Sequence, residues 1–383
     1  MLNTIWHKLD TRQFGALKGR STTHELIELL HAWTGAMDQR KWTRVLFVDF
    51  QKAFDHVDHS TVIQKFIGLG IPSSVLRWLA SFLTNREQRV KIADVLSSWL
   101  RLNGGMPQGS WLGPLTFVVM IDDLRSVCPL YKFVDDTTYS ESLTASQTSK
   151  MQKYYDELEQ WSTENFMRVN TSKTKEMLIG KKSDQVPYLR SPNSQVIERV
   201  EHFKLLGVWI SNDLSWNKHV EYITSKATSR LYFLKQLKKA SAPTADMLHF
   251  YVGTIRPVLE YAAPVWHSSL TAEQSNCLEN VQKRAFCVIF GDHFVKRSYQ
   301  DFCYDIDVPT LSDRREYLSQ TLFESMLRPN CCIHHLIPEQ RDVNVLSRLR
   351  NPSKYPVSFA RTERYKKSFL PYALRSFVAD SSD

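Results

Sequence analysis

The first half of the chain alternates short β-prone apolar runs with stripes of apolar residues at helical spacing. Arg44 to Phe50 (RVLFVDF) is rich in β-branched and aromatic residues and predicts a buried strand. Two helices are expected next, separated by Gly68, Gly70 and Pro72. The second places Val75, Leu76, Leu79, Phe82 and Leu83 on one face, with Ser73 or Ser74 as its N-cap. Gln88 to Ile92 reads as a strand, and Gly104–Gly113 as a glycine-rich loop. Tyr131 to Tyr139 (YKFVDDTTY) is β-prone on both sides of two adjacent aspartates, the pattern of a tight hairpin. Residues 146–166 read as a helix carrying Met151, Tyr154, Tyr155, Leu158 and Trp161 at helical spacing. Glu176 to Ile179 and Phe203 to Ile210 are two further strands. From about residue 217 the pattern is helical, with Val220, Ile223, Ala227, Leu231 and Leu234 on one helix and Leu278, Val281, Ala285 and Ile289 on another. Mixed strands and helices followed by helices alone predict an α+β domain and then an all-α region, with the boundary near residue 215.

Composition narrows the class. The chain has 383 residues, 43% hydrophobic and 12% aromatic, which suits packed cores and excludes wholesale disorder. At that length two or more domains are expected. The longest apolar run, Pro114 to Ile121, ends at Asp122 and Asp123, well short of the ~18 residues of a membrane span. The N-terminus MLNTIWHKLDTR has no apolar core of signal-peptide type. Six cysteines without regular spacing fit a reducing compartment better than a disulfide framework. A soluble intracellular protein of the nucleus or cytoplasm, with no membrane partner, is the expectation. The net charge is +9, and residues 341–375 hold nine Lys and Arg against two Asp and Glu. There the cations are interleaved with Tyr355, Phe359, Tyr365, Phe369 and Tyr372, a mixture that suits a nucleic-acid backbone. A solvated charged tail is the alternative.

Three carboxylates sit where a carboxylate is costly. Asp49 interrupts the apolar strand, and Asp135 and Asp136 lie side by side inside another apolar run. Like charges crowded in a partly buried site raise one another's pKa unless a cation neutralises them. Mg²⁺ prefers carboxylate oxygens and keeps water for substrate phosphates. Two such ions about 4 Å apart can clamp the attacking and leaving oxygens of a phosphoryl transfer.

The segments FVDFQKAFDHVDH, GGMPQGSWLGPLTF, FVDDTTY and FKLLGVWI occur in this order and spacing. Together they resemble the palm blocks of reverse transcriptases from non-LTR, LINE-type retrotransposons. QFGALKGRSTT (13–23) resembles the fingers block of that family. IRPVLEYAAPVW (255–266), LENVQKRA (278–285) and RTERYKKSFLPYALR (361–375) resemble the region downstream of the polymerase in its jockey-like branch. The resemblance implies an α+β reverse-transcriptase palm with partial fingers, followed by an all-α thumb and C-terminal extension. In residue ranges, these are a reverse transcriptase domain over 1–215, a thumb-like helical region over 216–295 and a basic extension over 296–383.

It also implies an RNA-directed DNA polymerase that adds dNTPs to a primer 3′-hydroxyl on an RNA template, with DNA as primer or target. Asp49, Asp135 and Asp136 would be the catalytic, metal-holding triad for two Mg²⁺ ions, with Mn²⁺ as a substitute. Phe50 would offer at most a backbone carbonyl, and Phe54 would crowd the sugar 2′-position. Pro107, Gln108 and Gly109 would approach the template–nucleotide pair, with Trp111, Leu112 and Leu115 packing the following helix. Lys18 and Arg20 match basic fingers positions that meet phosphates; two solvated cations are the other reading. Asn170, Lys173 and Lys175 match the next palm block, where a lysine can protonate the leaving pyrophosphate; a surface lysine is the other reading. Leu206, Gly207 and Val208 match the hairpin that holds the primer end. Asp55, His56, Asp58 and His59 are read as capping and packing residues.

Departures from the family pattern are Val134 before the aspartate pair, Met106 and Trp111 in the glycine-rich block, and Ala16 and Leu17 in the fingers. The chain carries neither an earlier fingers block with an Arg-Pro-Ile core nor an upstream endonuclease, and is therefore expected to be N-terminally truncated. The alternative function is a non-catalytic, nucleic-acid-binding remnant.

Overall fold

A computed structural model describes residues 5–102, 104–107, 109–180, 186–342, 354–357 and 359–377. Helix α1 (Thr22–Asp38) leads into strand β1 (Trp42–Val48), then helices α2 (His59–Gly68) and α3 (Ser73–Leu83). Four short strands follow: β2 (Arg86–Gln88), β3 (Lys91–Ile92), β4 (Val95–Leu96) and β5 (Leu100–Leu102). Helix α4 (Leu112–Ile121), the pair β6 (Leu130–Phe133) and β7 (Asp136–Leu143), helix α5 (Met151–Glu164) and strands β8 (Lys175–Ile179) and β9 (Glu198–Arg199) come next. The remainder is a hairpin, β10 (His202–Leu205) and β11 (Val208–Ser211), and then helices. The longest of these are α6 (Asn217–Lys239), α7 (Ala272–Phe290) and α8 (Leu311–Met326). The class is the α+β architecture that the pattern predicts. Two compact units divide the chain, Met1–Glu25 with Lys41–Val200, and Leu26–Arg40 with Glu201–Asp383.

The first unit is built on a five-stranded sheet in the order β6-β7-β1-β8-β9. β1 is central and antiparallel to both neighbours, from Trp42 opposite Leu143 to Val48 opposite Thr137, and from Thr43 opposite Ile179 to Phe47 opposite Lys175. Every residue of β1 is buried, as the apolar run Val45–Val48 requires of a central strand. Leu46 and Val48 pack with Val62 and Phe66 of α2, Leu79 and Leu83 of α3, Phe117 and Val118 of α4, and Tyr155 and Leu158 of α5. Each such side chain contributes about 1.5–3 kcal/mol of burial. α4 is apolar all round and is buried from Leu115 to Ile121.

A charge also lies inside this strand. Arg44 is 3% exposed and Glu176, on β8, is fully buried. Glu176 receives the Nε–H of Arg44 on one oxygen and that of Arg199 at 2.8 Å on the other. Arg44 also donates to Pro187 O at 2.7 Å and to Ser149 Oγ at 3.2 Å, so this buried charge is fully answered.

Several expected details are corrected. α3 is capped by Pro72 rather than by Ser73 or Ser74: the Pro72 carbonyl accepts from Val75 and Leu76 N–H, which places both serines inside the first turn. The strand expected over Gln88 to Ile92 is two pieces, β2 and β3, because Val90 N–H bonds the Ser97 hydroxyl instead of continuing the ladder. The helix expected over 146–166 starts at Met151, since Glu141 and Ser149 side chains take the Lys150 and Met151 N–H groups. The glycine-rich loop ends at Trp111, and Gly113 is already helical. Trp111 does not pack that helix; it is 99% exposed, while Leu112 and Leu115 do pack against the core. Phe203 to Ile210 is a hairpin rather than one strand.

In the second unit α6 buries Val220, Ile223, Ala227, Leu231 and Leu234, and α7 buries Leu278, Val281, Ala285 and Ile289, the same stripes the periodicity marks. Part of the basic segment 341–375 is structural. The helix Phe369–Ser376 buries Phe369, Leu370, Ala373 and Leu374, and Tyr372 donates its hydroxyl to Glu316 at 2.6 Å. Tyr355 is buried and Tyr365 half-buried; of the five aromatics only Phe359 stands well exposed. Residues 343–353 and 358 of that segment lie outside the described residues. No described helix is long and apolar enough to cross a membrane.

Candidate active site

The ladder between β1 and β7 brings the three aspartates together. Its last pair is Val48 opposite Thr137. One residue beyond stand Asp49 and Asp136, and neighbouring antiparallel Cα atoms are about 4.5–5.5 Å apart. Asp135 lies in the two-residue turn between Phe133 and Asp136, which pair across β6 and β7. The other turn residue, Val134, is left-handed at φ +60, an uncommon state for a β-branched side chain. A close approach holds it: a Cβ on Gly15 would lie 2.5 Å from Val134 N, so only glycine fits there.

The electrostatics follow from that crowding. Burial, then Asp135 and Asp49, push the Asp136 carboxyl up to about 6. Burial and Asp49 also raise Asp135, partly offset by a bond to its own backbone. Among the described residues no Lys, Arg or His forms an ion pair with any of the three. Repelling carboxylates with no protein cation beside them form a donor set suited to a hard metal ion.

Other expected residues surround this edge. Asp49 is gripped through its backbone: its N–H donates to Thr174 Oγ1 at 3.3 Å and its carbonyl accepts from Asn170 N–H at 2.7 Å. Phe50 is buried and bridges Val169. The block of Asn170 and Lys173 therefore lies against Asp49, with Lys173 exposed, while Lys175 pairs with Glu198 at 2.6 Å. Phe54 is half-buried, 5.0 Å from the Phe117 ring, and its carbonyl accepts from Met106 N–H at 2.8 Å. That bond joins Phe54 to the loop of Pro107 and Gly109, where Gly109 is exposed at φ +78. Gln108 lies outside the described residues. Asp58 caps α2 through Thr61 N–H at 2.7 Å, and His59 meets Gly105 O at 2.7 Å, so these two residues of the acid–histidine cluster serve capping and packing. Lys18 is exposed. The Arg20 guanidinium donates to Thr11 O at 2.6 Å and Gln13 O at 2.5 Å, bracing the segment before it.

In the second unit, Leu206 (φ +46) and Gly207 (φ +87) form the two-residue turn of the β10–β11 hairpin, and Val208 opens β11. Two left-handed residues in succession give the hairpin-matched I′ turn.

Residues 1–210 match the family described as reverse transcriptase (RNA-dependent DNA polymerase), more than half of the chain. The chain belongs to the reverse transcriptase family. It is 25% identical over 334 residues to the RNA-directed DNA polymerase from mobile element jockey of Drosophila melanogaster, covering 83% of this chain and 36% of that protein. It is 26% identical over 298 residues to a probable RNA-directed DNA polymerase from transposon BS of the same organism, covering 73% and 32%. The chain thus spans about a third of the length of the curated relatives it matches. Among solved structures it is similar to a telomerase from Candida tropicalis, with 13% identity, 82% of this chain and 52% of that chain covered; at a TM-score of 0.42 this likeness carries no argument. Residues 216–256 match a family described as alkylated DNA repair protein alkB homolog 8, N-terminal, a stretch too short to assign a family.

Three further side chains brace these segments, and motif reading passes over them. Thr174 fixes the Asp49 backbone, and its only signal was its place beside Lys173. Tyr261, inside IRPVLEYAAPVW, donates its hydroxyl to Leu206 O at 2.8 Å and lays its ring where a Cβ on Gly207 would fall, at 2.9 Å. Gln13, inside QFGALKGRSTT, reaches the aspartate turn.

Proposed function

We propose that this chain is an RNA-directed DNA polymerase of the non-LTR retrotransposon kind, adding deoxynucleotides to a primer 3′-hydroxyl. The observation that carries this reading is the placement of Asp49, Asp135 and Asp136 side by side at one end of the β1–β7 ladder, without a protein cation among the described residues, in a chain of the reverse transcriptase family. Reverse transcriptases use divalent metal ions, and these three carboxylates fit them; we assign them two Mg²⁺, with Mn²⁺ as a substitute. When bound, such ions neutralise the triphosphate and polarise the attacking hydroxyl.

The chain's own residues do the positioning. A rigid ladder sets the backbone positions of Asp49, Asp135 and Asp136 beside one another, which lowers the ordering cost at the reacting atoms. Phe54, backed by Phe117, sets a wall against a sugar 2′-hydroxyl. Pro107 and Gly109, with Gln108 between them, contact the template–nucleotide pair; Phe50 contributes no more than its backbone. Lys18 faces phosphates of the incoming nucleotide or template, with Arg20 offering them only the guanidinium donors not already given to Thr11 O and Gln13 O, and Lys173 supplies a proton to the departing pyrophosphate. Leu206, Gly207 and Val208 hold the primer end, and the helices from Asn217 act as a thumb. RNA template, DNA primer and dNTPs are the partners.

Incorporation of labelled dTTP on poly(rA) primed with oligo(dT), in Mg²⁺ or Mn²⁺, tests the reading. Product from the wild type and none from Asp135→Ala is expected. No product from the wild type, with template–primer still bound, would favour the non-catalytic binding remnant instead.

A further inference from the structure

Gln13 sits apart from the triad in sequence yet holds the turn that carries two of its members. Its side chain is 1% exposed. Oε1 accepts from Gly15 N–H at 2.9 Å and from Val134 N–H at 3.1 Å. The Gly15 bond is local; the Val134 bond crosses to the left-handed residue immediately before Asp135. The backbone reinforces this. Gln13 forms a parallel bridge with Lys132, Phe14 N–H donates to Lys132 O at 2.7 Å, and Lys132 N–H donates to Arg12 O at 3.0 Å. Residues 12–14 therefore run beside β6, the edge strand of the sheet. Lys132 is itself fully buried, tied to Asp10 at 2.7 Å and to Ile121 and Leu124 carbonyls at 3.2 and 3.0 Å.

The two halves of the triad are thus secured differently. Asp49 ends a strand laddered on both sides. The Val134–Asp135 turn lies at the end of an edge strand and takes a conformation valine disfavours. Gln13 Oε1 answers its N–H, and that oxygen can reach only because Gly15 leaves room. The price is visible: Gln13 Nε2 is buried with no partner among the described residues. An apolar side chain would fill this space without that cost, so packing alone does not account for a glutamine here.

We propose that Gln13 is a positioning residue that holds Asp135 and Asp136 in metal-binding geometry through the Val134 amide. This rests on the metal-holding role assigned above to the triad.

The test titrates Mn²⁺ into the full chain without nucleotide or template, following free Mn²⁺ by electron paramagnetic resonance, with a thermal melt of each variant. Gln13→Met conserves volume and removes the acceptor; Gln13→Glu keeps an acceptor oxygen. Gln13→Met is expected to weaken Mn²⁺ binding about tenfold, ~1.4 kcal/mol, with a cooperative melt retained. In primer extension it should lower kcat while template–primer Kd stays within about twofold, since the defect lies in the transition-state assembly. Gln13→Glu should keep Mn²⁺ affinity within about threefold. Should Gln13→Met fail to fold, Gln13→Asn, one carbon too short to reach Val134, takes its place with the same expected loss. Wild-type Mn²⁺ affinity in the Met or Asn variant, equal impairment in Gln13→Glu, or no Mn²⁺ site in the wild type would each overturn the proposal. A wild type that binds Mn²⁺ but makes no DNA would sink the polymerase reading and leave this one standing.

Discussion

Replacing Asp136 with asparagine should make the metal-free protein more stable at alkaline pH, although it removes a group proposed to be essential. The Asp136 carboxyl is pushed from 3.8 up to about 6 by burial and by its two acidic neighbours. At about 1.4 kcal/mol per pKa unit, a dry site would carry a penalty near 3 kcal/mol. The side chain is exposed on the molecular surface, so screening reduces this to about 1 kcal/mol, or roughly 2–4 °C in Tm. The sign follows from proton binding. Between the unfolded value of 3.8 and the folded value of about 6, the native state holds the proton more tightly. Stability therefore falls as pH rises through that window, and the full penalty applies above it.

The asparagine side chain of the variant carries no charge and escapes this penalty. Melting in EDTA should show Asp136→Asn above wild type at about pH 8 and close to it at about pH 4. Saturating Mn²⁺ should reverse the order, because an ion held at a hundred times its Kd stabilises the wild type by about 2.7 kcal/mol. A variant that melts below wild type in EDTA at alkaline pH, or that responds to Mn²⁺ as the wild type does, would refute the view of these carboxylates as a repelling, cation-seeking set.

Other perturbations test the surroundings. Glu176→Ala leaves Arg44 and Arg199 facing each other without their shared carboxylate; urea denaturation should show a loss of about 3–5 kcal/mol. Gly207→Ala forces a Cβ into the Tyr261 ring at φ +87, and a loss of about 1–2 kcal/mol should accompany weaker primer extension. Phe54→Ala should admit ribonucleotides, raising the ratio of rNTP to dNTP incorporation about tenfold or more.

The parts of this molecule that could be read from sequence are those fixed by local periodicity. RVLFVDF announces a buried strand, and YKFVDDTTY a hairpin, because side chains alternate whatever the strand pairs with. Every residue of the α6 and α7 stripes is buried, although His219, Glu279, Gln282 and Phe286 are buried beside them. What escaped was set by register and by long reach. Which residue of β7 faces Asp49 depends on the ladder, and nothing in either segment states it. Gln13 and Val134 are joined across the edge of the sheet, and Tyr261 meets Leu206 from a turn between two later helices. Trp111 misled for the converse reason: a large apolar residue at a helix start reads as core, yet it stands in solvent.

The two ends of β1 show why the carboxylates mark function rather than fold. Near its start Arg44 is a buried charge, and the fold answers it with Glu176, which Arg199 meets in turn, and with the Pro187 carbonyl. Past its other end Asp49 meets two more acids and, among the described residues, no base. One strand therefore carries a compensated charge and an uncompensated one. Compensation is what stability alone would select, since leaving a buried charge unpaired costs several kcal/mol. The uncompensated end carries a penalty that a cation from outside would relieve, and a rigid ladder that places three carboxylates at one end of the sheet is suited to receiving it.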